Sequence, residues 1–179
     1  MRILWGILLG GLIAGALDIV YAFVVYGPLS YGISPERILQ SVAAGWIGRE
    51  ASQAGGMSTA ALGLGSHLLI ATIMAAVYVL AAQSSRRLTR NPLLWGTVYG
   101  LILYVAMNYV VVPLSAAGAN GHFVSSLSEA SERLQASFSE VRGGAADYPW
   151  MLWGTIFTHT VLVGMPIALA AKRFSPQSD

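Results

Sequence analysis

Trp5-Gly6-Ile7-Leu8-Leu9-Gly10-Gly11-Leu12-Ile13-Ala14-Gly15-Ala16-Leu17-Asp18 is the stretch on which the fold turns. Thirteen uncharged residues lead to one aspartate, and the chain then stays apolar through Val25. The four glycines would weaken a soluble helix, whereas glycine is common in membrane helices. The apolar run, residues 3–26, exceeds the roughly 20 residues that cross a bilayer at 1.5 Å rise. In lipid the backbone must bond to itself, so the run should be helical. An aspartate near the bilayer middle costs about 2.5–3.5 kcal/mol, so Asp18 should face protein and have a partner. The Met1-Arg2 start resembles a signal peptide. The length of the run, Asp18 within it and the lack of a small-x-small cleavage site argue instead for a first membrane helix.

Outward from this stretch, the pattern recurs. Trp5-Gly6-x-x-x-Gly10 returns as Trp95-Gly96-x-x-x-Gly100, and the same step from each Trp reaches Asp18 and Asn108. Pro28-Leu29-Ser30 returns as Pro113-Leu114-Ser115, and Ser66-His67 as Thr158-His159. Each half reads as an apolar segment, a polar stretch and a second apolar segment. Two crossings per half would make the halves parallel about an axis along the membrane normal. Duplication and chance resemblance between Gly-rich helices both remain open.

Three further runs, 60–82, 93–114 and 150–171, are long enough to span. Only 10% of residues are charged, against about 25% in a soluble domain. The expectation is one all-α transmembrane domain over residues 1–179. It would be a four-helix bundle, compatible with two pseudo-symmetric hairpins, with outer loops 27–59 and 115–149 and a cytoplasmic tail 172–179. A net charge of +2 with no basic stripe gives no reason to expect nucleic acid. The absence of cysteine excludes disulfides, thiol nucleophiles and c-type haem attachment. Four crossings place Arg2, Arg86, Arg87, Arg90, Lys172 and Arg173 on one face, close to the span ends, which predicts cytoplasmic N- and C-termini. Trp5 and Trp95 would mark that interface, and Trp46, Trp150 and Trp153 the other.

Loops this long usually contain structure. Ser34 and Pro35 predict a helix start, with Ile38, Leu39, Val42 and Trp46 on one side. Phe123, Leu127, Ala130, Leu134, Phe138 and Val141 recur at helical steps with Ser, Glu and Arg between them. Both segments read as amphipathic helices on the outer surface or capping the bundle. Residues 175–179 read as a short disordered tail.

The candidate site follows from depth. Asp18, His67, Asn108 and His159 fall within about 5 Å of one level, roughly 9–14 Å below the outer surface. Asp18 shares a stripe with Gly11, Gly15 and Ala22, and His67 with Ala60, Gly63 and Ala71, small residues that let helices meet. His159 aligns with Thr155 and Val163, and Asn108 with Tyr104 and Leu101. These groups could simply hold the helices in register, or they could form a proton- or small-ligand site. No catalytic residue can be assigned, and no cofactor is expected. Two alternatives stay open. His67 and His159 could ligate a b-type haem, with room beside Gly63 and Gly65. His67, His159 and Asp18 could bind a metal, although ligand spacing gives weak support. His122 reads as a solvated loop residue. Pro166 should kink or loosen the last span. The Gly-x-x-x-Gly faces could pack within the chain, in a homodimer or against a membrane partner, which would make the chain an accessory subunit.

Five stretches carry a family resemblance: Gly15-Ala16-Leu17-Asp18, Pro35-Glu36-Arg37-Ile38-Leu39-Gln40-Ser41, Leu62-Gly63-Leu64-Gly65-Ser66-His67, Met107-Asn108-Tyr109-Val110-Val111-Val112-Pro113-Leu114-Ser115 and Val163-Gly164-Met165-Pro166-Ile167-Ala168-Leu169. In them the chain resembles uncharacterised bacterial inner-membrane proteins with four helices. The resemblance implies a bacterial inner-membrane location and brings no activity, substrate or cofactor.

Overall fold

A computed structural model of the chain describes residues 1–118 and 121–174. The expected C-terminal tail, residues 175–179, lies outside them. The fold is all-α. Four helices are long and apolar enough to cross a membrane: α1 (Arg2–Tyr26), α4 (Gly56–Ser84), α6 (Pro92–Leu114) and α8 (Trp150–Phe174). Between them lie α2 (Pro35–Ile47), α3 (Arg49–Ala54), α5 (Arg86–Arg90) and α7 (Leu127–Phe138). Four apolar helices of this length are consistent with a membrane-spanning bundle. Their many exposed Leu, Ile and Val residues suit lipid contact better than water.

By contact the chain forms two compact units. The first comprises Met1–Tyr21, His67–Tyr104 and Ile156–Asp179; the second comprises Ala22–Ser66 and Val105–Thr155. The first unit is built on small residues. Its core holds Ala14, Ala75, Tyr78, Val79, Ala82, Leu103, Val163, Ile167, Ala168 and Ala171. Gly11 packs on the Thr72 backbone, Gly96 on Gly164 and Met165, and Gly100 on His159 and Thr160. At Gly100 an added Cβ would collide with the His159 carbonyl oxygen. The Gly-x-x-x-Gly faces are therefore engaged inside the chain. Tyr99 Oη donates to the Met74 carbonyl at 2.8 Å and Tyr78 Oη to that of Leu88 at 3.0 Å, which ties α4 to α6 and α5.

In the second unit, α2 starts as its residues dictate. Ser34 caps it by accepting from the Arg37 N–H at 3.4 Å, and Pro35 occupies the first turn. Its packed face differs from the expected one. Ile38, Gln40, Ala43 and Ala44 are buried, while Trp46 is half exposed and donates its indole N–H to Ser66 Oγ at 2.9 Å. The reason is Gly63, which lies directly against the Leu39 carbonyl. So close an approach of two backbones favours small side chains on α2. The second loop helix, α7, is capped by Ser126, whose Oγ accepts from the Glu129 N–H at 3.2 Å. Glu129 reaches back past the cap to accept from the Ser125 N–H at 2.8 Å, which satisfies one more donor ahead of the helix. Here too the packed side differs. Ser137 is fully buried, whereas Leu127 and Phe138 are exposed.

Two of the four long helices contain a π turn. In α6 it covers Ala106–Val111, two residues before Pro113, and in α8 it covers Thr158–Gly164, two residues before Pro166. Proline lacks an N–H and its ring clashes with the carbonyl four residues earlier. A wider turn just upstream relieves that clash. Within this turn the Tyr109 carbonyl accepts from Ser137 Oγ at 2.7 Å. The expected loosening by Pro166 thus takes the form of a π turn that contains His159. Pro28, the counterpart of Pro113 in the apparent repeat, lies beyond the end of α1 and perturbs no helix.

Candidate functional site

Asp18 sits on α1 between two polar neighbours from other helices. Thr158 Oγ1 donates to its Oδ1 at 2.8 Å. Its Oδ2 lies 3.7 Å from His67 Nε2. Nε2 is also 2.9 Å from the Gly15 carbonyl oxygen, one helical turn before Asp18. A carbonyl can only accept, so Nε2 carries a proton and donates it to Gly15. In the neutral ring the lone pair is then left to Nδ1. The imidazole is held by an α1 carbonyl and directs its N–H edge toward the α1 carboxylate.

Local sequence explains this geometry. Gly15 has no side chain, so α4 approaches until a Cβ there would touch Leu68 at 3.0 Å and Ala71 at 3.1 Å. That approach brings His67 to the backbone of α1. Thr158 is the first residue of the π turn in α8 and is only 4% exposed. Asp18 is more open, with 29% of its side-chain surface accessible against 14% for His67.

The expected residues divide as follows. Asp18, His67 and His159 all belong to the first unit, and Asn108 to the second. Asp18 and His67 come together. The ring of His159 meets Tyr104 edge-on, with centroids 5.9 Å apart. Asn108 lies in the π turn of α6. The hydroxyl that reaches Asp18 comes from Thr158, the residue before the histidine singled out in the sequence. Its signal was present in Thr158-His159-Thr160, a polar triplet inside an apolar run.

The metal and haem alternatives gain no footing in this geometry. Among the described residues no three His, Cys, Asp or Glu side chains are grouped to hold a metal ion, so His67, His159 and Asp18 do not form the set suggested above. Iron at His67 Nε2 would have to displace the bond to Gly15. Of the two glycines offered above as room for a haem, Gly63 lies against the α2 backbone, while Gly65 has nothing within 4 Å of an added Cβ. His122 is more exposed and belongs to a separate polar group, 3.8 Å from Glu129, which also pairs with Arg133.

Compared with known proteins, the chain matches no family model, no curated protein and no solved structure. The resemblance drawn from the five stretches is therefore not carried by a family match. A multi-pass, largely helical membrane protein with four apolar candidate spans is what the findings support.

Proposed function

We propose that this chain is a non-enzymatic, multi-pass protein of the bacterial inner membrane whose Asp18–His67–Thr158 group handles a proton or a small polar ligand inside the bilayer. The observation that carries this reading is the state of Asp18. One carboxylate oxygen is held by Thr158, the other faces the N–H edge of His67, and more than a quarter of the side chain stays open. A carboxylate serving only to lock helices would be sealed, because exposure to lipid costs several kcal/mol. Asn108 and His159 enter the proposal as polar groups of the neighbouring spans. The inner-membrane location rests on the family resemblance, and the cytoplasmic termini on the distribution of Arg and Lys.

The test is a pH titration of the full chain in lipid vesicles, followed by infrared difference spectroscopy of carboxyl groups. A titrating carboxyl band that disappears in Asp18→Asn, with the fold retained, supports the proposal. If Asp18→Asn changes only the melting temperature and no band is lost, the group merely holds helices in register. Mild-detergent purification with mass spectrometry looks for a retained ligand or companion subunit in the same preparation.

A further inference from the structure

The amphipathic helix α7 is mounted with its apolar edge outward. Its packed side is Arg133 and Ser137, with side-chain exposures of 10% for Arg133 and none for Ser137. Its large apolar residues face away: Leu127 is 91% exposed, Phe138 59%, and Val141 just beyond the helix 73%. Ser128, Glu132 and Gln135 occupy a second exposed edge.

Two contacts fix where this apolar edge lies. Ser137 Oγ donates to the Tyr109 carbonyl at 2.7 Å. One turn earlier, Arg133 donates to the carbonyls of Pro113 at 3.3 Å and Ser115 at 3.4 Å. The contacts advance along α7 as they retreat along α6, so α7 lies antiparallel against the last turns of the span. Its C-terminal end reaches the level of Tyr109, about 7 Å inside the Leu114 end of α6. Val111 and Val112 of α6 are exposed at that same level, at 44% and 41%.

We propose that α7 is an interfacial helix whose C-terminal half beds Leu134, Phe138 and Val141 into the headgroup–acyl boundary of the leaflet at the Leu114 end of α6. The proposal rests on reading the four long helices as membrane spans. Lipid is the occupant because the apolar edge sits at the depth of α6 residues that already face outward and are themselves apolar. A polar inner side tied to α6 carbonyls, an apolar edge in lipid and a Ser/Glu/Gln edge toward water give every face of the helix a suitable neighbour.

The chain has no cysteine, so single-cysteine variants are free of background. A fluorophore is placed in the full chain by Phe138→Cys, Val141→Cys, Gln135→Cys and Ile102→Cys, the last a 57% exposed position on α6. Each variant is reconstituted into phosphatidylcholine/phosphatidylglycerol vesicles with and without brominated acyl chains. The expected result is quenching at 138 and 141 comparable with 102 and several-fold stronger than at 135. Val141→Cys preserves the Phe138–Tyr109 stack and reports even if Phe138→Cys does not fold. Quenching at 102 without quenching at 141 overturns the interfacial helix and leaves the spans intact. Cross-linking between copies through an unquenched position 141 does the same and points to a second copy. No quenching at any position removes the membrane reading and the inference with it.

Discussion

At the scale of single residues, the molecule depends on where side chains are missing as much as on where they are polar. Gly100 lies against the backbone of His159 and Thr160, so no side-chain rotation can make room for a methyl group. Gly100→Ala should cost about 1–3 kcal/mol by overpacking, read as a lower melting temperature in detergent. Gly65 has nothing within 4 Å of an added Cβ, and Gly65→Ala should leave the melting temperature unchanged or raise it slightly. Thr158→Val removes the hydroxyl that donates to Asp18. Hydrogen bonds between membrane helices average about 0.6 kcal/mol, so a loss of about 1 kcal/mol or less is expected by thermal unfolding. A markedly larger loss would mean that Thr158 supports more than one bond. The approach of Asp18 and His67 was legible in the sequence because both sit on stripes of small residues. The part of Thr158 was not, because a threonine hydroxyl in a helix can equally bond its own backbone, as those of Thr72, Thr97 and Thr160 do.

At the scale of elements, the two π turns explain why wheel projections placed some residues correctly and others not. The 100° step holds in α1 and α4, which are regular; there Gly15 packs on Ala71 and His67 approaches Asp18, whereas Gly63 of the same stripe packs on α2. The step fails in α6 and α8 within the turns that hold Asn108 and His159. A proline announces such a disturbance without telling how far upstream the widened turn will reach. The α6 turn makes a specific prediction. Ser137→Ala removes the hydroxyl that donates to the Tyr109 carbonyl from another helix, so it should cost about 0.5–1.5 kcal/mol by thermal unfolding. No loss would show that the hydroxyl bonds the Leu134 carbonyl of its own helix instead. The start of α2 was legible, since Ser34-Pro35 signals it directly, whereas α7 announced itself by its apolar steps and not by its Ser126 cap. Their packed faces were not legible, because the Gly63 contact and the Arg133 and Ser137 bonds join residues distant in sequence.

At the scale of the whole molecule, hydrophobic run length carried the reading. The runs at 3–26, 60–82, 93–114 and 150–171 correspond to four helices, the second of which begins four residues earlier than its run. Orientation across the bilayer rests on basic residues, and it can be tested because cysteine is absent. Ser84→Cys, beside Arg86 and Arg87, should resist an impermeant thiol reagent applied to intact bacterial cells from which the outer envelope has been stripped. Ser128→Cys, in the loop before α8, should react. The reverse pattern would invert the proposed topology, and equal reactivity would count against the single crossing by α6 between the two sites.

The bond between Arg133 and the end of α6 has a consequence for biosynthesis. The guanidinium that stabilises the C-terminal carbonyls of this helix is encoded about twenty codons after the helix is complete. Until that arginine has folded back, the Ser115 carbonyl can rely on the Gly118 N–H, but that of Pro113 must take its donor from water. The end of the span is completed only when a residue made later returns to it.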